Sequence, residues 1–122
     1  MTIRIVNTTR GKALGEAIVL AESWTERLCG LLGCRHPVSG SGMLLPRTWA
    51  IHTWFMRFPI DAVFLNETNR VVGTRQGLKP FKMAGCWRAT AVLELPAGTI
   101  TATGTRAGDA LALTEPGGAW RF

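Results

Sequence analysis

The sequence predicts a mostly-β protein, a compact β-sandwich or barrel with one or two short helices. Three observations predict it. Short runs with two-residue alternation recur along the chain, separated by clusters of Gly, Pro, Asn and Asp. One stretch alone carries a helix start followed by leucines at helical spacing. The 122 residues, 47% hydrophobic and 18% charged, can also bury one core without disulfide staples, so residues 1–122 read as a single domain.

Thr2 to Val6 alternates as a first strand, Thr8 to Lys12 turns, and Leu14 to Leu20 continues as a second strand. Ser23-Trp24-Thr25-Glu26 has the form of a capping box. Ser23 accepts from the first helical turn while Glu26 reaches back, and Leu28, Leu31 and Leu32 follow before a stop at Gly33. Pro37 to Gly42 reads as a loop and residues 42–46 as a brief extended piece. Ala50 to Met56 and Ile60 to Leu65 read as strands, followed by a turn at Asn66–Asn69 and a strand from Arg70 to Thr74. Gly77, Pro80 and Gly85 break up residues 76–88, which read as a long loop. Thr90 to Leu95 and Ala110 to Thr114 are the last strands. Between them stands Gly108-Asp109, where Gly supplies special backbone angles and Asp ties a turn through its side chain. This strand, one-turn crossover and Gly-Asp turn resembles the "GD box" of small β-barrels, and it makes both residues structural.

Composition narrows the function classes. No apolar run approaches the length of a membrane span. The N-terminal Met-Thr-Ile-Arg-Ile-Val alternates as a strand with no apolar leader core behind it, so the expected location is cytoplasmic. Three cysteines at unpaired spacing argue against a secreted disulfide framework, and Cys29, Cys34 and Cys86 read as small apolar residues in or near the core. No metal ligand set or cofactor fingerprint is present, so neither a metal nor a cofactor is expected. The net charge of +6 favours anionic partners.

Residues 50–65 concentrate the chemistry. As a strand, 50–56 sends Ile51, Thr53 and Phe55 to one side and His52, Trp54 and Met56 to the other. One face can join a core; the second must be covered or line a cleft, because an exposed Trp–Met patch is a binding surface. Asp61 opens an apolar strand, where its carboxylate must be solvated, hydrogen-bonded or shifted in pKa. A His52–Asp61 pair could move a proton: a hairpin with Met56 opposite Ile60 puts the two on opposite faces, whereas a one-residue shift or a bulge brings them to the same one. In the first register Asp61 reads as an anchor for the turn at Arg57–Pro59.

The runs Arg27-Leu28-Cys29-Gly30-Leu31-Leu32, Gly42-Met43-Leu44, His52-Thr53-Trp54-Phe55-Met56, Pro59-Ile60-Asp61-Ala62-Val63-Phe64, Val71-Val72, Leu78-Lys79-Pro80 and Val92-Leu93-Glu94-Leu95-Pro96-Ala97-Gly98 stand in a fixed order. Together they resemble the prokaryotic "domain of unknown function 192" family over residues 5–113. The resemblance implies a compact β-sandwich or barrel and no established activity. Leu32 and Phe58 stand where that family commonly has Met and Asn, so a shared polar site beside Asp61 is not implied. Many relatives carry an export signal.

Three functions follow as expectations. The first is a small binding module that holds an anionic or amphiphilic small ligand, or a partner segment. Its cleft is formed by His52, Trp54, Met56 and Asp61 and rimmed by Lys79 and Lys82. The second is an enzyme using Asp61 with His52 or Cys86 as acid, base or nucleophile. The third and minor reading is nucleic-acid binding by the basic 75–88 loop, where Arg75, Lys79, Lys82 and Arg88 surround Phe81 and Trp87 with no acidic residue between Glu67 and Glu94. Oligomeric state is not legible.

Overall fold

The computed structural model describes residues 2–21, 40–54, 56, 58–114 and the backbone of 120–121. The helix expected from Ser23, and with it Cys29 and Cys34, lies outside the described residues, as does Phe55.

Ten strands are formed among them: β1 (Thr2–Asn7), β2 (Lys12–Leu20), β3 (Ser41–Pro46), β4 (Ala50–His52), β5 (Ile60–Leu65), β6 (Val71–Leu78), β7 (Met83–Gly85), β8 (Ala91–Pro96), β9 (Leu111–Thr114) and β10 (Trp120–Arg121). One short helix, α1 (Thr99–Thr103), follows β8. Eight strands make one sheet in the order β10-β9-β1-β2-β3-β8-β5-β6, and β4 and β7 form a separate two-stranded ribbon. All neighbours in the large sheet are antiparallel except β2 and β3. A parallel pair needs a crossover, and the long connection from β2 to β3 provides the length for one.

The sheet curls until its far strands meet. Arg70, just before β6, bridges to Ala110, just before β9, and the Val71 N–H donates to the Asp109 carbonyl at 2.8 Å. The mostly-β, barrel-like class expected from the sequence is the class observed. Inside the curl lies one core, with Ile5, Ile18, Leu44, Val63, Leu65, Leu93 and Ile100 among its members. The strands β3, β5 and β8 present alternate residues to both faces. Their other side chains, including Met43, Leu45, Ile60, Phe64 and Val92, form a second core outside the curl. Every residue of β5 is therefore buried. The β4–β7 ribbon covers that second core with Ile51 and Ala84.

The Gly-Asp turn is built as expected. Gly108 sits at φ 98°, a left-handed conformation that favours glycine. Asp109 Oδ2 accepts from Asn7 Nδ2 at 2.9 Å, from Arg10 Nε at 3.0 Å and from the Arg106 N–H at 3.1 Å. Burial pushes the Asp109 pKa up, but these donors and the Arg10 charge outweigh it and bring it down to about 2. This polar knot joins the start of the chain to its last third.

Two expectations are corrected. Strand β6 runs on to Leu78 and β7 forms at 83–85, so two parts of the presumed 76–88 loop are β structure, with a turn between them. Gly77 breaks no strand; it takes φ 59° within β6 and the pairing resumes at Leu78. The presumed hairpin between 50–56 and 60–65 is also absent. β4 ends at His52 and pairs with β7, whereas β5 pairs with β6 and β8.

Candidate functional site

The β4–β7 ribbon is short, with Ala50 opposite Gly85, Ile51 opposite Ala84 and His52 opposite Met83. Alternation turns Ile51 and Ala84 inward and leaves His52 and Met83 facing solvent. What holds so small a ribbon in place is Thr53, which is fully buried. Its hydroxyl donates to the Lys79 carbonyl at 2.6 Å and accepts the Lys82 N–H at 3.0 Å. Its own N–H donates to the Lys82 carbonyl at 2.9 Å, and its carbonyl accepts the N–H groups of Met56 and Phe81, each at 3.1 Å. One side chain thus fastens the 79–82 turn to the end of β4.

The outer face is aromatic. Among the described residues, the exposed large hydrophobic side chains are Trp49, Trp54, Phe81, Met83 and Trp87, each between 49% and 81% exposed. All five lie on this ribbon or its immediate flanks. The Trp49 ring lies over Gly85, where an added Cβ would come within 3.4 Å of it. The His52 and Trp54 rings stand 5.4 Å apart, tilted by 42°. The Cys86 N–H donates to the Trp49 carbonyl at 2.8 Å and its carbonyl accepts from Ala89, which places Trp87 on an outward turn. Arg88 stacks over Trp87 at 5.4 Å from the ring centre, and Lys79 and Lys82 are exposed beside Phe81. Phe81 takes φ 65°, a strained conformation for a bulky side chain.

The sequence-derived residues separate into two groups. His52, Trp54, Lys79 and Lys82 come together at the ribbon. Met56 is half-buried against the second core. Asp61 is completely buried. Its Oδ1 accepts the Gly77 N–H at 2.9 Å, and its Oδ2 accepts the N–H groups of Gly98 at 3.1 Å and Ile100 at 2.9 Å. Asp61 thereby pins the Gly77 kink and stands in for a missing side-chain cap at the start of α1. Its bonds run to β6 and to the start of α1, while Arg57 of the turn it is expected to anchor lies outside the described residues. Cys86 is half-buried, its sulfur 3.9 Å from the Val72 carbonyl. Among the described residues, no group of three or more His, Cys, Asp and Glu is placed to hold a metal.

Trp49, Met83 and the fastening role of Thr53 are not picked out by the sequence reading. A signal existed: Phe81, Met83, Gly85 and Trp87 alternate at strand spacing across the presumed loop, with Ala84 buried between them.

Residues 5–113 match the family described as "Uncharacterized ACR", the domain of unknown function 192. The chain belongs to that family. Two family relatives are UPF0127 proteins of archaea. The one from Thermococcus kodakarensis is 30% identical over 121 residues, covering 90% of this chain and 73% of its own length. The one from Pyrococcus furiosus is 32% identical over 112 residues, covering 88% of this chain and 95% of its own. Two solved structures share the fold. A Sinorhizobium meliloti protein, proposed as a transcription regulator, superposes with a TM-score of 0.75 at 23% identity over 89% of both chains. A Novosphingobium aromaticivorans protein of unknown function gives 0.74 at 19% identity, over 91% of this chain and 83% of that one. At these identities the likeness establishes the family's fold and nothing about chemistry. Among the described residues, no helix is long and apolar enough to cross a membrane.

Proposed function

We propose that this protein is a binding module whose ligand lies on the outer face of the β4–β7 ribbon. The ligand class that fits is one presenting a flat or apolar group together with negative charge. The flat group packs on Trp49 and Trp54, and the charge meets Lys79 and Lys82. The observation that carries this reading is the gathering of Trp49, Trp54, Phe81, Met83 and Trp87 on one small ribbon, all exposed. Single exposed apolar residues are ordinary, whereas a contiguous patch of them marks a binding surface. Phe81 adds to it, because a strained backbone at an exposed aromatic is stability given up without burial in return. The reading revises the expected cleft to a face, with Met56 packed against the core beneath it and Asp61 outside it. A cytoplasmic location goes with it, supported by the unpaired cysteine spacing.

The enzymatic alternative draws less support. Asp61 is wholly buried with both oxygens engaged by backbone N–H groups, while His52 faces solvent on the ribbon.

Titration with 8-anilino-1-naphthalenesulfonate, an anionic aromatic amphiphile, tests the proposal. The wild type should bind it with a change in tryptophan emission. Trp54→Ala and the Lys79→Ala/Lys82→Ala pair should each weaken that binding at least fivefold while the circular dichroism stays unchanged. Equal binding by wild type and both variants overturns the proposal.

A further inference from the structure

From the same face we infer that the ligand is a single-stranded nucleic acid, an inference that rests on the binding-module reading above. The sequence alone ranks this third, because residues 75–88 read as a solvated loop. The structure changes what those residues are. They form the end of β6, the Thr53-held turn and β7, and they bring Phe81 and Trp87 to the same ribbon as Trp49 and Trp54.

Single-stranded nucleic acid is recognised by flat π surfaces on which bases stack, alternating with cations that follow the phosphates. The ribbon and its flanks supply both. Four aromatic side chains stand exposed, and Lys79, Lys82 and Arg88 are interleaved with two of them. Arg88 already stacks on one face of Trp87 and leaves that residue 81% exposed. Charge complementarity favours a polyanion over a neutral partner: the chain carries +6, and from Thr68 to Leu93 there is no acidic residue. Trp49 and Trp54 flank the three residues of β4, which extend about 10 Å at ~3.3 Å per residue. Stacked bases repeat at about 3.4 Å, so about three bases fit along the ribbon. A lipid surface would also meet aromatics and cations, but such insertion draws on aliphatic anchors, and Met83 is the one exposed large aliphatic side chain among the described residues. The imidazole of His52 sits against Trp54 in the middle of the patch. Both features suit stacking better than insertion into hydrocarbon.

Fluorescence anisotropy with labelled oligo(dT) and oligo(U), from low to moderate salt, tests the inference. Binding should weaken with salt at a logarithmic slope of about −2, the value for three phosphates neutralised on a single strand. Lys79→Ala/Lys82→Ala should flatten that slope by about 1.4. Trp54→Ala and Trp87→Ala should each weaken binding about tenfold without changing the slope, because stacking is uncharged. Both tryptophans are exposed, so these variants keep the fold, and circular dichroism checks it. No binding at low salt overturns the inference. So does binding that ignores both tryptophans, equal affinity for duplex DNA, or binding to phosphatidylserine vesicles without binding to oligonucleotides. If oligonucleotides fail while the naphthalenesulfonate still binds through Trp54, the nucleic-acid assignment falls and the binding face stands.

Discussion

Thr53 and Lys82 bond to each other twice: the Thr53 N–H donates to the Lys82 carbonyl at 2.9 Å, and the Lys82 N–H donates to the Thr53 hydroxyl at 3.0 Å. With the hydroxyl also donating to the Lys79 carbonyl, a residue with no solvent exposure decides where two exposed lysines stand. Thr53→Val keeps the shape and removes the hydroxyl, leaving the Lys82 N–H and the Lys79 carbonyl unpaired. The expected cost is about 1–2 kcal/mol in urea unfolding. Ligand binding should weaken as well, although Thr53 touches no ligand. Thr53→Ser should restore both. A Val variant of native stability and affinity would show that the turn is held by other means.

Asp61 gives a prediction of the opposite kind, large in stability and absent in binding. Its two oxygens accept three backbone N–H groups, from Gly77, Gly98 and Ile100. Asp61→Ala leaves them unpaired around a buried gap and should cost about 3 kcal/mol or more. Asp61→Asn keeps one acceptor oxygen but turns an NH₂ group toward a donor. It should fall between Ala and wild type. Where either variant remains folded, its affinity for the ribbon ligand should be native. Loss of affinity at full stability would return Asp61 to the binding site.

The pH dependence follows from Asp109. Its pKa falls from 3.8 to about 2 on folding, with burial opposing the shift and the Arg10, Asn7 and Arg106 bonds overcoming it. Between those values the unfolded chain binds the extra proton, so stability rises with pH there. The contribution is complete above about pH 4 and is lost as pH falls toward 2. Urea midpoints measured from pH 5 down to 2 should drop through that window in the wild type. Asp109→Asn should start lower and show a flatter profile. Parallel profiles for the two proteins would assign acid sensitivity to other carboxylates.

How legible was this in the sequence? The first hairpin, the Gly-Asp turn and the parity of Ile51, His52, Thr53 and Trp54 all follow from local rules, because alternation and turn chemistry are properties of neighbours. What the sequence hid is long-range. Asp61 finds its partners 16, 37 and 39 residues away, which no local pattern encodes, so a nearby turn looked like its natural role. Gly77, Pro80 and Gly85 read as breakers, yet Gly77 is a kink whose N–H meets a carboxylate and Gly85 is the surface under Trp49. Ribbon β7 is three residues long and is stabilised by β4 and Thr53, both some 30 positions earlier. The second face of 50–56 is expected either to be covered or to line a cleft; it stays open as far as Trp54, and Met56 packs against the second core.

Phe81 separates binding from stability most sharply. A bulky side chain at φ 65° costs about 1–2 kcal/mol relative to glycine, and Phe81 recovers little of it by burial, since 74% of it is exposed. Glycine at this position removes the strain and adds a backbone-entropy cost of about 0.5–1 kcal/mol. Phe81→Gly should therefore leave stability unchanged or raise it by up to about 1.5 kcal/mol. The same substitution deletes a ring from the ribbon's edge, so affinity for the naphthalenesulfonate should fall several-fold. Phe81→Ala sharpens the comparison: it deletes the same ring but keeps a Cβ in the left-handed region, so it should lose as much affinity as Gly and gain less stability. Urea unfolding and fluorescence titration on the three proteins decide the matter. A Gly variant that is less stable than wild type would mean the ring packs usefully where it lies. One that binds as tightly as wild type would remove Phe81 from the site.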